Sequence, residues 1–156
     1  MTTYKHTQIG YLMIFTTLAV LAIFTQAIIA ARAEPVSLDS GTNLLVTSVM
    51  VLIMIILASF STLTTSIDGE YVRVKFGFGL FKKKFPLEEI ATITTVKNRW
   101  YYGYGIRLWF WPKMWIYNVS GFDAVELTMK NGKIYRIGTD VPGELESAIR
   151  LSLSKI

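Results

Sequence analysis

The 156-residue sequence predicts a membrane α-helical hairpin followed by a mainly-β domain that a C-terminal helix closes. Three observations carry that expectation. Two long runs contain no charged residue, residues 9–31 and 44–63. Beyond residue 63 the apolar residues alternate with polar ones instead of running together, which is the strand signature. The last eighteen residues return to a helical spacing.

Residues 1–8 hold only Lys5 as a fixed charge and are expected to be a cytoplasmic tail. The first run, 23 residues from Ile9 to Ala31, crosses a hydrocarbon core of roughly 30 Å at about 1.5 Å per residue. Residues 44–63 are expected to cross back. A buried core helix of such length would normally show some charge on an outer face. The small residues at Ala31-Arg32-Ala33 resemble a signal-peptide cleavage site, but signal h-regions are about 7–15 residues, shorter than this run. Thr16, Thr17, Thr25 and Gln26 are the polar residues of the first run. Threonine in such a helix bonds back to its own backbone more readily than to a neighbouring helix.

Charge sets the direction. The connecting loop, residues 32–43, holds Arg32 against Glu34 and Asp39, whereas residues 64–156 carry 14 basic and 9 acidic side chains. Basic flanks stay cytoplasmic, so both termini are expected inside the cell (inner or plasma) membrane and the loop outside it. Asn118-Val119-Ser120 matches a glycosylation sequon, which on that topology faces the wrong compartment.

In the expected cytoplasmic domain, residues 64–156, Val72, Val74 and Phe76 alternate with Tyr71, Arg73 and Lys75. Next, Tyr104, Ile106, Leu108 and Phe110 share one face of a strand, with Arg107, Trp109 and Trp111 on the other. Val125, Leu127 and Met129 alternate up to Asn131-Gly132, a two-residue hairpin signal, and the return strand is expected over residues 133–138. The final helix takes Thr139 or Asp140 as cap, Pro142 in its first turn, Glu144 and Glu146 at the positive end of its dipole, and Leu145, Ile149, Leu153 and Ile156 as its apolar stripe.

Residues 64–156, about three fifths of the chain, resemble the bacterial pleckstrin-homology-like (PH-like) domains attached to small two-span membrane proteins. The resemblance lies in Phe85-Pro86-Leu87-Glu88-Glu89-Ile90, Gly103-Tyr104-Gly105-Ile106-Arg107, Asn118-Val119-Ser120-Gly121, Ala124-Val125-Glu126-Leu127 and Arg136-Ile137-Gly138-Thr139-Asp140, in that order and spacing. It implies two packed antiparallel sheets closed by a C-terminal helix, and a place at the membrane. It implies no phosphoinositide site, because no basic-loop motif maps onto this chain.

No catalytic, cofactor or metal constellation is expected. The chain has no cysteine and one histidine, His6, so the several Cys or His ligands of a zinc site are missing. Gly103-Tyr104-Gly105 has no third glycine at Leu108, as a dinucleotide loop requires, and reads as a bend. Phe76-Gly77-Phe78-Gly79 reads as a turn between strands. Glu88 and Glu89 have no partner for acid–base work, and neither Ser66 nor Ser120 has a base near it in sequence. The expected function is a membrane-anchored, non-catalytic interaction or scaffold module that contacts membrane lipids, anionic ones included, a second copy of itself, or other integral membrane proteins. An accessory subunit of a channel or transporter is the alternative. A nucleic-acid stacking platform built on Arg107 and the tryptophans would be confined to the membrane by the tether, so no nucleic-acid partner is expected.

The candidate contact residues are Lys82, Lys83, Lys84, Arg107, Trp109, Trp111, Lys113 and Trp115. All four tryptophans lie within residues 100–115. Indole rings favour the water–lipid boundary, and each nearby Lys or Arg adds about 1 kcal/mol of attraction to an anionic leaflet. Pro112-Lys113 is expected to break the strand and leave Met114 and Trp115 at a loop tip. The edge then docks on the inner leaflet, with the lysines beside it. The alternative is that Trp109 and Trp111 pack on the protein's own helices or on a second copy.

Overall fold

A computed structural model describes residues 3–33 and 40–155. The first uncharged run forms helix α1, Tyr11–Ala33, and the second forms α2, Ser40–Ser59. Both are apolar around their whole circumference. Leu12, Phe15, Leu18 and Ile23 of α1 and Leu45, Leu52, Ile53 and Ile55 of α2 are all exposed. Over Tyr11–Ala30, α1 is long and apolar enough to cross a membrane, and the apolar part of α2 is the shorter stretch Leu44–Ser59. The hydroxyls of Thr16, Thr17 and Thr25 donate to the carbonyls of Leu12, Met13 and Leu21 within α1, at 2.7–2.8 Å. Of the loop expected over residues 32–43, residues 32–33 belong to α1 and 40–43 to α2, and residues 34–39 lie outside the described residues.

Two boundaries differ from expectation. Strand β1, Tyr4–Ile9, occupies most of the segment read as a tail, and Ile9 belongs to it rather than to the helix. The second run leaves the helix at Ser59. After a turn at Phe60-Ser61, strand β2, Thr62–Ile67, begins, and Leu63 is buried in the core. The physical reason is the period. Leu63, Thr65 and Ile67 point inward alternately along β2, and β-branched threonines suit a strand better than a helix.

Strands β1 and β2 pair antiparallel from Tyr4↔Ile67 to Ile9↔Thr62. Strands β3, Tyr71–Phe76, and β4, Lys82–Pro86, complete a four-stranded sheet of order β1-β2-β3-β4. A second sheet holds β5 (Ile90–Lys97), β6 (Gly105–Phe110), β7 (Lys113–Asn118), β8 (Asp123–Met129) and β9 (Ile134–Gly138) in the order β5-β8-β9-β7-β6. Only its β7–β9 pair is parallel. One apolar cluster draws Leu63, Val72, Val74, Phe76 and Phe85 from the first sheet and Ile93, Val125, Leu127 and Ile137 from the second. The final helix α3, Pro142–Leu153, closes it with Leu145 and Ile149 fully buried and Leu153 packed alongside. Ile156 lies outside the described residues.

Local chemistry departs from expectation at two turns. The β8–β9 connection turns on three residues, Lys130-Asn131-Gly132, because Met129 N–H donates to Lys133 C=O and only Gly132 has positive φ, at 79°. That is a type I turn closed by a glycine bulge, the common three-residue solution. The N-cap of α3 is Val141, with no side-chain cap. Asp140 is instead held by His6 Nε2 of β1 at 2.6 Å, and Thr139 Oγ1 accepts from Val141 N–H at 3.2 Å.

Candidate functional site: an aromatic tip and a lysine edge

The candidate residues fall on two separate parts of the domain. Lys82, Lys83 and Lys84 are exposed along β4, an edge strand, where they pair with Lys75, Val74 and Arg73 of β3. Lysines on an edge strand keep other chains from pairing with it. Here Lys82 and Lys83 also line a groove of about 200 Å³ between the sheets, together with Phe76, Leu80, Phe81, Ile106 and Tyr117. Burial pushes the Tyr117 hydroxyl up to about 12, with Tyr135 adding to the effect, so the phenol stays neutral there.

The other part is the β6–β7 hairpin. Its register, Phe110↔Lys113, leaves Trp111-Pro112 as the turn. Trp111 is 88% exposed and Phe110 73%. The expected tip is Met114 and Trp115, but both lie within β7, where Met114 is buried and Trp115 exposed. The strand does end before Pro112, which falls in the turn where no ladder N–H is required, but Lys113 already opens the returning strand.

Alternation correctly separates Leu108 from Trp109, and pairing sets Leu108 beside Trp115 and Trp109 beside Met114. The face that carries Trp109 is nevertheless covered. The short 3-10 turn Trp100–Tyr102 folds back over it, so Tyr102, Met114 and Ile116 form a second buried cluster with Trp109 and Ile134 against it. The Tyr102 and Trp109 rings lie 4.7 Å apart, and Trp109 Nε1 donates to the Trp111 carbonyl at 2.9 Å. Trp109 therefore packs on its own domain and supports the tip. Gly103 makes the reversal possible with φ +67°, a conformation that side chains disfavour. Arg107 is exposed, and its Nε donates to the Tyr104 carbonyl at 3.2 Å.

Two open grooves flank the tip. One, of about 350 Å³, is lined by Arg99, Tyr101, Tyr102, Trp109, Phe110 and Trp111 with Pro112. The other, of about 420 Å³, is lined by Leu108, Lys113, Trp115, Lys133 and Ile134 with the Asn131-Gly132 turn. Tip and grooves carry apolar surface with cationic borders on both sides of the hairpin. Sequence reasoning did not single out Phe110 and Tyr101, which line the first groove, or Trp100, whose ring stands edge-on to Tyr101 at 5.8 Å. The density of aromatics in residues 100–111 was their signal.

The polar groups beneath are structural. Arg136 donates to Glu126 at 2.7 Å and to Asn98 at 3.4 Å, under the Tyr102 ring. Asn118 of the sequon is buried. Its Nδ2 donates to the Gly121 carbonyl at 3.0 Å and its Oδ1 accepts from Ser120 N–H at 3.3 Å. Glu88 and Glu89 lie in a 3-10 turn, Leu87–Glu89, rather than on a strand. Comparison with family models and with curated proteins finds no match to this chain.

Proposed function

We propose that the chain is a membrane-anchored, non-catalytic contact module. In this reading α1 and α2 span the membrane as a hairpin, the β domain is PH-like and stands at the cytoplasmic leaflet, and its aromatic patch meets lipids, a second copy or another integral membrane protein. One observation carries the reading. Strand β1 runs into α1 and α2 runs out into β2 with only short joints, while β1 and β2 pair along their whole length. Both helices are thus rooted at one end of one sheet, as a hairpin returning to its starting side requires. Their exposed apolar side chains support a lipid surround, since helices apolar on every face are stable when buried or in a bilayer. The basic excess of residues 64–156 supports the cytoplasmic side. The pair of sheets closed by α3 supports the PH-like assignment.

Topology reporters test it. A reporter fused after residue 156 should be active only as a cytoplasmic fusion, and one inserted at residue 40 only as an external one. The reverse pattern, or release of the protein from membranes by alkaline washing, would refute the anchor. The two grooves beside Trp111 favour a second reading, an accessory subunit of a larger channel or transporter. Copurification of a stoichiometric integral-membrane partner that is lost on Trp111→Ala would select it.

A further inference from the structure

The β3–β4 turn, Gly77-Phe78-Gly79-Leu80-Phe81, takes no part in the aromatic tip described above, although Leu80 and Phe81 line the groove at the lysine edge. It is fixed beside the last turn of α2. Gly77 N–H donates to the Thr62 carbonyl at 2.9 Å, and Gly79 N–H to that of Phe76 at 2.7 Å. A Cβ on Gly77 would stand 2.6 Å from the Ser59 carbonyl oxygen, so glycine is what lets the turn approach the helix end. The Phe81 ring stacks on Phe60 at 5.1 Å, and Phe60 meets Phe76 edge-on at 5.2 Å. This anchoring still leaves Phe78 61% and Leu80 56% exposed.

Two large apolar side chains left more than half exposed at the crown of this turn contribute little to the fold in water. Their setting supplies a reason. Ile55 and Ile56, in the last turns of α2, are also exposed, so the apolar surface of the helix continues toward the turn. Lys75 and Lys82 face each other on the first paired rung above the turn, with Lys83 and Lys84 following, all exposed. The Lys82 stem passes close over the turn, with its Cε 2.7 Å from where a Gly79 Cβ would stand. A lysine that lays its stem on apolar surface and sends its ammonium outward suits a headgroup layer. We infer that the Phe78–Leu80 crown inserts into the headgroup–acyl boundary of an anionic leaflet, with Lys75 and Lys82 on its phosphates, and so sets the domain's orientation at the membrane. The inference rests on α1 and α2 spanning that membrane.

The absence of cysteine allows single-site labelling. Full-length Phe78→Cys, Leu80→Cys, Ile23→Cys and Thr94→Cys proteins would carry a nitroxide in vesicles of mixed phosphatidylcholine and phosphatidylglycerol. Relaxation by oxygen and by a water-soluble nickel chelate then reports depth. Ile23, in the middle of α1, is the lipid reference, and Thr94, exposed on β5, is the water reference. The expected result is an oxygen-to-nickel ratio at Phe78 and Leu80 well above that at Thr94 and below that at Ile23. Water-like ratios at both turn sites, with Ile23 lipid-like, would overturn the inference alone. A water-like Ile23 would overturn the spanning reading and this inference with it. Matching circular dichroism qualifies each labelled protein, and either turn site suffices should the other variant misfold.

Discussion

Ile149→Ala tests how α3 closes the domain. Ile149 is fully buried in the cluster that joins both sheets. The change removes three carbons, and at about 0.8 kcal/mol per buried methylene the transfer loss is about 2.4 kcal/mol. The neighbours belong to strands held in register by their ladders, so the space left cannot collapse fully. The cavity term then moves the cost toward the middle of the roughly 2–5 kcal/mol range for such truncations. For a domain of this size each kcal/mol shifts Tm by about 4–8 °C, so a drop of at least about 10 °C is expected. Leu151→Ala is the internal control, because Leu151 sits on the same helix but is 61% exposed, and should change stability by no more than about 0.5 kcal/mol. The assay is thermal and denaturant unfolding of the full chain in detergent, followed by tryptophan fluorescence. Equal losses from the two variants, or none from Ile149→Ala, would refute the packing of α3 on the sheets.

Gly138→Ala should destabilise by about 1–3 kcal/mol or more, since a Cβ there would fall 2.1 Å from Asn118 Oδ1. A denaturant double-mutant cycle with Asn118→Ala should show the two changes to be non-additive. Burial pushes the Asp68 carboxyl up, but the Tyr71 N–H, the Arg73 guanidinium and the Glu70 N–H outweigh it and hold it below the usual 3.8. A depressed folded-state value means that the stabilisation is present above pH 3.8 and is lost as pH falls through the folded value. Melting curves between pH 7 and pH 2 should therefore show less acid sensitivity in Asp68→Asn than in the parent. Trp111→Ala should leave Tm nearly unchanged, since Trp111 is 88% exposed, yet lower the yield of crosslinks to a neighbouring protein in native membranes.

How much was legible depended on whether a segment's partners were written in its own period. The two uncharged runs, β3, β8 and the α3 stripe each carry a local pattern that survives folding. Strand β1 does not. Its inward side chains are Tyr4, His6 and Gln8, so YKHTQI shows no apolar alternation. What draws it into the sheet is its ladder to β2 and the Gln8 Nε2 bond to the Ser120 carbonyl at 2.9 Å, both made with residues far along the chain. The lost cap at Asp140 has the same origin, because its competitor His6 stands 134 residues away in sequence. A unit cut at residue 64 would accordingly lose an entire edge strand and Leu63 from the core.

The candidate site divides for a related reason. Charge and aromatic content group Lys82, Lys83 and Lys84 with Trp111 and Lys113, but neither property records which end of a strand meets the helices. Gly105, at the start of β6, lies against the Phe60 ring, 3.9 Å from where its Cβ would stand. Trp111 follows after the full length of β6, about 17 Å of extended chain. Lys82 begins its strand one residue after Phe81, which stacks on that same Phe60. The lysine edge is therefore rooted beside the helix ends, while the tryptophan tip reaches away along the second sheet. If the crown at Phe78 and Leu80 holds the domain on lipid, Trp111 and its two grooves stay open to a different neighbour. Removing the crown's apolar side chains should then loosen the domain's orientation without abolishing partner capture, and Trp111→Ala should do the reverse.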